Sequence, residues 1–212
     1  MSEPQIFNVL VEFFEEDEWD FQWMEGMSVL TMGFSGKNGK WQCFAQAREK
    51  QQQFVFYSVL PVNIPKEKRV KVAEFITRVN YGMVLGNFEM DFEDGEVRYK
   101  TSIDVEGAEL SAAMIRQIVY SNIIITDRYL TSLMRVSFSD ASPEEAIEEG
   151  DAAAIASLEE ELSEFLADDD DELDDEDNEL DDDDLFGDDE DFDDDDEDLP
   201  PYMSDNSPYS LN

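Results

Sequence analysis

The sequence has no histidine, a single cysteine, and no lysine or arginine after position 139. Without histidine, the side chain that ordinarily serves as a general base or metal ligand near neutral pH is missing. Cys43 stands alone, which excludes an intramolecular disulfide and a cysteine metal site. No apolar run reaches the roughly 18 residues that a membrane span needs. The opening Met1-Ser2-Glu3-Pro4 lacks the basic and apolar regions of a secretory signal, so the cytoplasm is the expected location. Neither a glycine-rich phosphate loop nor an EF-hand loop is present. These absences leave no catalytic set, so an enzyme is not expected, and neither is a cofactor or resident metal. Carboxylate pairs are so abundant that they say nothing about acid–base chemistry.

What is present is charge, distributed unevenly. The 212 residues carry a formal net charge of −41. Residues 1–139 hold all 14 basic residues and 20 acidic ones, a net of −6. The remaining 35 acidic residues follow in 140–212 with no basic residue among them. The first part is long enough to bury one core. The composition of the second opposes collapse. The expected organisation is an α+β domain over 1–139, a helical linker over 140–167, and a disordered Asp/Glu-rich tail over 168–212.

Apolar periodicity orders the first part. Ile6, Val9/Leu10 and Phe13/Phe14 recur at helical spacing after a Ser2 start signal, with Glu12, Glu15, Glu16 and Asp17 outside. Phe21 to Glu25 reads as a short strand. Ser28–Phe34 and Lys40–Arg48 flank Asn38-Gly39, a pair suited to a two-residue hairpin turn that sets Met32 opposite Ala45 and Phe34 opposite Cys43. On that face Cys43 is a buried structural thiol, with no histidine to activate it. Gln53–Leu60 is nearly continuous apolar sequence, as in a central strand. Pro65 opens a helix to about Tyr81, with Val72, Ile76 and Val79 on one face. Its other face carries Lys66, Lys68, Arg69, Lys71 and Arg78, either a solvated surface or a docking site for acid.

Asn87–Glu93 and Glu96–Val105 alternate around Asp94-Gly95. A two-residue turn there sets Phe92 opposite Val97, Met90 opposite Tyr99 and Glu89 opposite Lys100. A long helix follows from Glu109 to about Val136, with Leu110, Met114, Ile118, Leu130 and Leu133 or Met134 as its stripe. Ser121-Asn122 is its expected kink. The predicted order α-β-βββ-α-ββ-α gives an antiparallel sheet of five to six strands with helices packed on it.

The stretches GNFEMDFEDGEVRYKTSIDVEG (86–107) and LSAAMIRQIVYSNIIITDRYLTSLMRV (110–136) resemble the YbjN-type bacterial family, labelled a sensory transduction regulator. The acidic-aromatic first helix and the Pro65 helix agree with it. The likeness covers about residues 5–138. It implies a type III secretion chaperone-like fold and a small non-enzymatic domain that binds other proteins or pairs as a homodimer. It carries over no catalytic residue, and it does not explain the acidic tail.

In the linker, Ser142-Pro143-Glu144-Glu145 is a second helix start. Asp151 is a further cap for AAAIASLEEELSEFLA, whose stripe is Ile155, Leu158, Leu162 and Phe165. This segment either packs back on the domain, docks on a partner, or frays. The run 168–198 is mostly aspartate, interrupted by Leu173, Leu180, Leu185, Phe186 and Phe192. It is either a solubilising brush or an electrostatic clamp for a protein client with a basic surface, with Leu185, Phe186 and Phe192 as apolar contact points. The leading expectation is a protein-binding adaptor or chaperone-like regulator. A nucleic-acid mimic that competes for a basic DNA- or RNA-binding protein is the alternative. Direct binding to nucleic acid or membrane is disfavoured by the same negative charge.

Overall fold

The computed structural model describes residues 6–152. In chain order these form α1 (Ile6–Glu16), β1 (Phe21–Trp23), β2 (Val29–Ser35), β3 (Lys40–Arg48), β4 (Gln53–Val59), α2 (Arg69–Tyr81), β5 (Asn87–Met90), β6 (Val97–Asp104) and α3 (Ala112–Phe138). A further helix, α4, starts at residue 143 and reaches the last described residue, 152. The six strands make one antiparallel sheet in the order β1-β2-β3-β4-β6-β5. The predicted α+β order and the central place of the Gln53 strand are both found. No described helix is long and apolar enough to cross a membrane.

Strand alternation sorts side chains between two faces. One face sets Phe21, Met32, Cys43, Ser58, Tyr99 and Phe88 in a row across all six strands. The helices cover this face. Phe14 of α1 stacks on Phe56 at 6.3 Å. Phe75 of α2 and Phe88 of β5 both meet Tyr129 of α3 edge-on. The buried face of α1 is Ile6, Phe7, Leu10, Phe13 and Phe14, as its periodicity predicts. The Ser2 start signal lies outside the described residues. Within them, the Ile6 and Phe7 amides donate to the Glu49 carboxylate at 3.1 and 2.8 Å, an acidic cap supplied from the β3–β4 turn.

Both hairpins correct the expected register by two residues. In the first, Met32 faces Cys43 and Phe34 faces Trp41, and the loop is the four residues 36–39. The cause is Asp127, about 90 positions downstream. Its carboxylate accepts from the Lys37 and Asn38 amides at 3.1 and 2.9 Å, and Asn38 donates back to its carbonyl. Gly36 is the residue that permits this approach, because a Cβ there would run into the same carboxylate. In the second hairpin Phe88 faces Tyr99 and Glu89 faces Arg98. Its loop is closed by Asp91 and Asp94 carboxylates, which accept from the Glu93 and Glu96 amides. Arg69 reaches over to donate to the Phe92 and Glu93 carbonyls, so Phe92 leaves the strand and is 56% exposed. A shift of two preserves the inward and outward sets, whereas a shift of one would exchange them.

The long helix α3 runs without a break through Ser121-Asn122. Ser111 caps it, accepting from the Met114 amide at 3.3 Å. Its buried stripe is Ile115, Ile118, Val119, Ile123, Leu130, Leu133 and Val136, so Met114 falls outside the core and is 37% exposed. Asn122 is fully buried and inserts its amide between strands, donating to the Phe56 and Tyr99 carbonyls and to Thr101 Oγ1 at 3.1–3.2 Å. Its Oδ1 has no hydrogen-bond partner among the described residues. At the far end of α1, Asp17 accepts from Trp19, Arg116 and Tyr120, at 2.8–3.0 Å. Burial by itself raises the Asp17 carboxyl, but these hydrogen bonds outweigh it and hold the group below the ordinary value.

Replacing Asn122 by alanine is expected to cost about 1–3 kcal/mol, because buried acceptors in two strands lose their donor. Urea denaturation checks this: the midpoint falls with the slope unchanged, and a midpoint equal to wild type rules the anchor out. Asp17 gives a pH prediction. A depressed carboxyl contributes stability above its unfolded value and loses it as pH falls through the folded value. Thermal melts from about pH 7 down to about pH 3 should show a shallower acid loss in Asp17→Asn than in wild type. Parallel curves would mean that Asp17 does not drive the acid transition.

Candidate protein-binding surface

The second face of the sheet carries no described helix. Its central row reads Gln22, Thr31, Phe44, Tyr57, Lys100 and Asn87 across the six strands. The rows on either side add Val29, Gln46, Val55 and Ser102, and Gly33, Gln42, Val59, Arg98 and Glu89. Phe44, Tyr57 and Val59 are half-buried around Val55, which is itself buried. An apolar strip thus occupies strands β3 and β4. Polar side chains border it on the β2 side and charged ones on the β6 side. On the β1–β2 side Gln22, Thr31, Gly33 and Gln42 line a shallow groove, kept open by the missing side chain at Gly33.

The charged border is internally satisfied. Arg98 donates to Glu89 at 3.0 Å while its guanidinium lies 4.7 Å from the centre of the Tyr57 ring. Lys100 bonds the other Glu89 oxygen. Burial tends to raise the Glu89 carboxyl, and its bonds to Lys100 and Arg98 bring it below the ordinary carboxylate value. An aromatic surface beside a paired charge cluster is suited to an extended or helical peptide with apolar side chains. It offers no reactive group. Cys43 lies on the opposite face, 3.4 Å from Ser58 Oγ, and burial pushes its thiol up to about 11. It therefore remains protonated near neutral pH.

The five basic residues singled out from the sequence go to three places. Lys68 donates to the Ser139 carbonyl at 2.7 Å and pairs with Asp140 at 3.6 Å. Lys71 donates to the Asp140 carbonyl at 3.1 Å, and Arg78 pairs with both Glu74 and Glu144 at 2.8 and 2.6 Å. Arg69 instead braces the β5–β6 loop, and Lys66 is exposed in the short turn before α2. Arg128 and Arg135 of α3, not flagged from the sequence, extend the same cationic groove by pairing with Asp151 and Glu149. So the groove between α2 and α3 holds the chain's own residues 139–151. Leu185, Phe186 and Phe192 lie outside the described residues.

The start of α4 follows its sequence signal closely. Ser142 Oγ accepts from the Glu145 amide at 3.2 Å while the Glu145 carboxylate accepts from the Ser142 amide at 2.8 Å. The helix then passes through Gly150 and Asp151, so Asp151 is not a cap. Gly150 sits against Ser132, and a Cβ at that position would clash with the hydroxyl. Pro143 and Ala146 are the buried residues of its first turn. Among the described residues no group of three or more Cys, Asp or Glu side chains is placed to hold a metal ion.

Comparison with solved structures finds similarity to the crystal structure of YbjN from E. coli, at 8% identity over 55% of this chain and 82% of that one, with a TM-score of 0.43. The ExsC–ExsE complex matches at 11% identity over 62% and 96% of the chains, with a TM-score of 0.47. The HopA1–SchA chaperone–effector complex matches at 13% identity over 58% and 92%, with a TM-score of 0.39. No curated protein matches the chain by sequence. The family profile for YbjN, described as "Putative bacterial sensory transduction regulator", covers residues 7–134, from α1 through most of α3. By that match over more than half its length, the chain belongs to the YbjN family.

Proposed function

We propose that this protein is a non-catalytic protein-binding regulator of chaperone-like type. It holds a segment of a client protein on the open sheet face. The observation that carries this reading is the strip of half-buried Phe44, Tyr57 and Val59 around a buried Val55, which no described helix covers. Its charged border is already neutralised, so a client brings apolar side chains at little cost in unpaired charge.

In the same reading the acidic residues 168–212 engage a basic surface of that client. Their support is compositional: 35 acidic residues and no basic one after residue 139. Such a segment accelerates encounter with a cationic surface, and the effect fades as salt shortens the Debye length to about 8 Å at physiological strength. Leu185, Phe186 and Phe192 add apolar contacts within the run. Lys68, Lys71 and Arg78 serve the chain's own 139–144 segment rather than the client, with Lys66 and Arg69 at its margin.

Affinity capture from nuclease-treated extract separates the two surfaces. The baits are the full chain, its Phe44→Glu/Tyr57→Glu variant, and a chain ending at residue 167, each at low and high salt. The full chain is expected to retain a protein client that the face variant loses by at least about tenfold. The shortened chain should keep that client but lose the low-salt advantage. Equal capture by the face variant would overturn the sheet-face reading. Unchanged salt dependence in the shortened chain would overturn the role of the acidic run. Displacement of the client by added DNA would favour the nucleic-acid-mimic alternative.

A further inference from the structure

The loop from α2 to β5 is an apolar surface with nothing described above it. Tyr81 and Val84 are 94% and 96% exposed and Leu85 is 47% exposed, all within five consecutive residues. The loop is firmly placed. Tyr99 donates its hydroxyl to the Leu85 carbonyl, and Gly86, at φ +75°, lies so close to β6 that a Cβ would sit 2.6 Å from the Lys100 carbonyl. Thr101, next in β6, donates to the Ile118 carbonyl of α3 at 3.0 Å. The exposed loop therefore borders the N-terminal half of α3.

The direction of α4 points to the same place. Glu149 pairs with Arg135, Gly150 abuts Ser132, and Asp151 pairs with Arg128 at 2.7 Å. As numbers rise along α4 they fall along α3, so the two helices run antiparallel. The next positions on that side of α3, at spacings of three and four from Arg128, are Ile125 and Ser121, and two turns further on is Met114. Ile125 is partly buried and Met114 is 37% exposed. From Arg128 to Met114 is 14 residues, about 21 Å of helix, and from Asp151 to Phe165 is the same 14. Over that length the chain offers Ile155, Leu158, Leu162 and Phe165 at spacings of three, four and three. Glu159, Glu160, Glu161 and Glu164 lie between them, with Ala156, Ser157 and Ser163 at the remaining positions.

We infer that residues 155–165 of this same chain are the occupant of the surface formed by Tyr81, Val84, Leu85, Ile125 and Met114. The length match, the antiparallel course and the apolar spacing each select this segment. The acidic residues between its apolar ones stay in water. This docking is independent of the client surface, which lies on the other side of the sheet.

Val84→Cys in the full chain provides the test. Cys43 is buried with a raised thiol, so the introduced cysteine is the reactive one. Its labelling rate is compared with that of an unstructured peptide containing the same cysteine, and with that of the chain carrying Leu158→Asp and Leu162→Asp as well. The expected result is labelling at least about fivefold slower than the peptide, with the protection lost in the Asp variant. Labelling as fast as the peptide overturns the proposal without reference to any variant. Protection that survives the Asp substitutions, or that grows with protein concentration, overturns it in favour of another occupant such as a second copy.

Discussion

The amide of Asn122 holds α3 against the middle of the sheet, and the other elements of the covered layer take their places from α3. The helix spans 27 residues, about 40 Å, long enough to cross several strands. Arg116 and Tyr120 tie it to the end of α1 through Asp17. Asp127 holds the β2–β3 loop, Tyr129 meets the aromatics of α2 and β5, and Arg128 and Arg135 receive α4. A buried amide is a demanding choice for this position. Its donors are satisfied by two strands and its oxygen is left without a described partner, so only one placement of the helix over the sheet meets its needs. An apolar side chain there would permit sliding.

Element types and order were legible because they rest on local period. The stripe of α1, the Pro65 turn that leads into α2, the alternation of β6 and the capping box at Ser142 all depend on residues within a few positions of each other. The hairpin registers were not legible in the same way. Asn38-Gly39 and Asp94-Gly95 carry a turn signal, yet Asp127 and Arg69 pull two further residues into each loop from a distance in sequence. The open sheet face was hidden for a different reason. In β4, Val55, Tyr57 and Val59 alternate with Phe54, Phe56 and Ser58, and nearly continuous apolar sequence reads as cover on both sides. The structure covers only one.

Charge in this chain is handled locally as well as in bulk. The basic groove between α2 and α3 meets Asp140, Glu144, Glu149 and Asp151, all in the stretch where basic residues have ceased. These pairs are largely exposed, so each contributes at most about 1 kcal/mol and is weakened by salt. What fixes the segment is the combination of those pairs with the buried Pro143 and Ala146 and the close seating of Gly150. Of the five basic residues seen in the sequence, Lys68 and Arg78 meet the carboxylates of Asp140 and Glu144, which follow directly on α3 in the same chain.

The sheet ends in very short strands. β1 has three residues and β5 has four, and each forms an outer edge. An edge of that length exposes too few backbone donors and acceptors to template a further strand over any distance. Two copies brought together side by side would gain only a few ladder bonds, and a ribbon of copies would not propagate. The aromatic strip on the open face is therefore displayed on a sheet whose two edges are too short to template edge-to-edge growth.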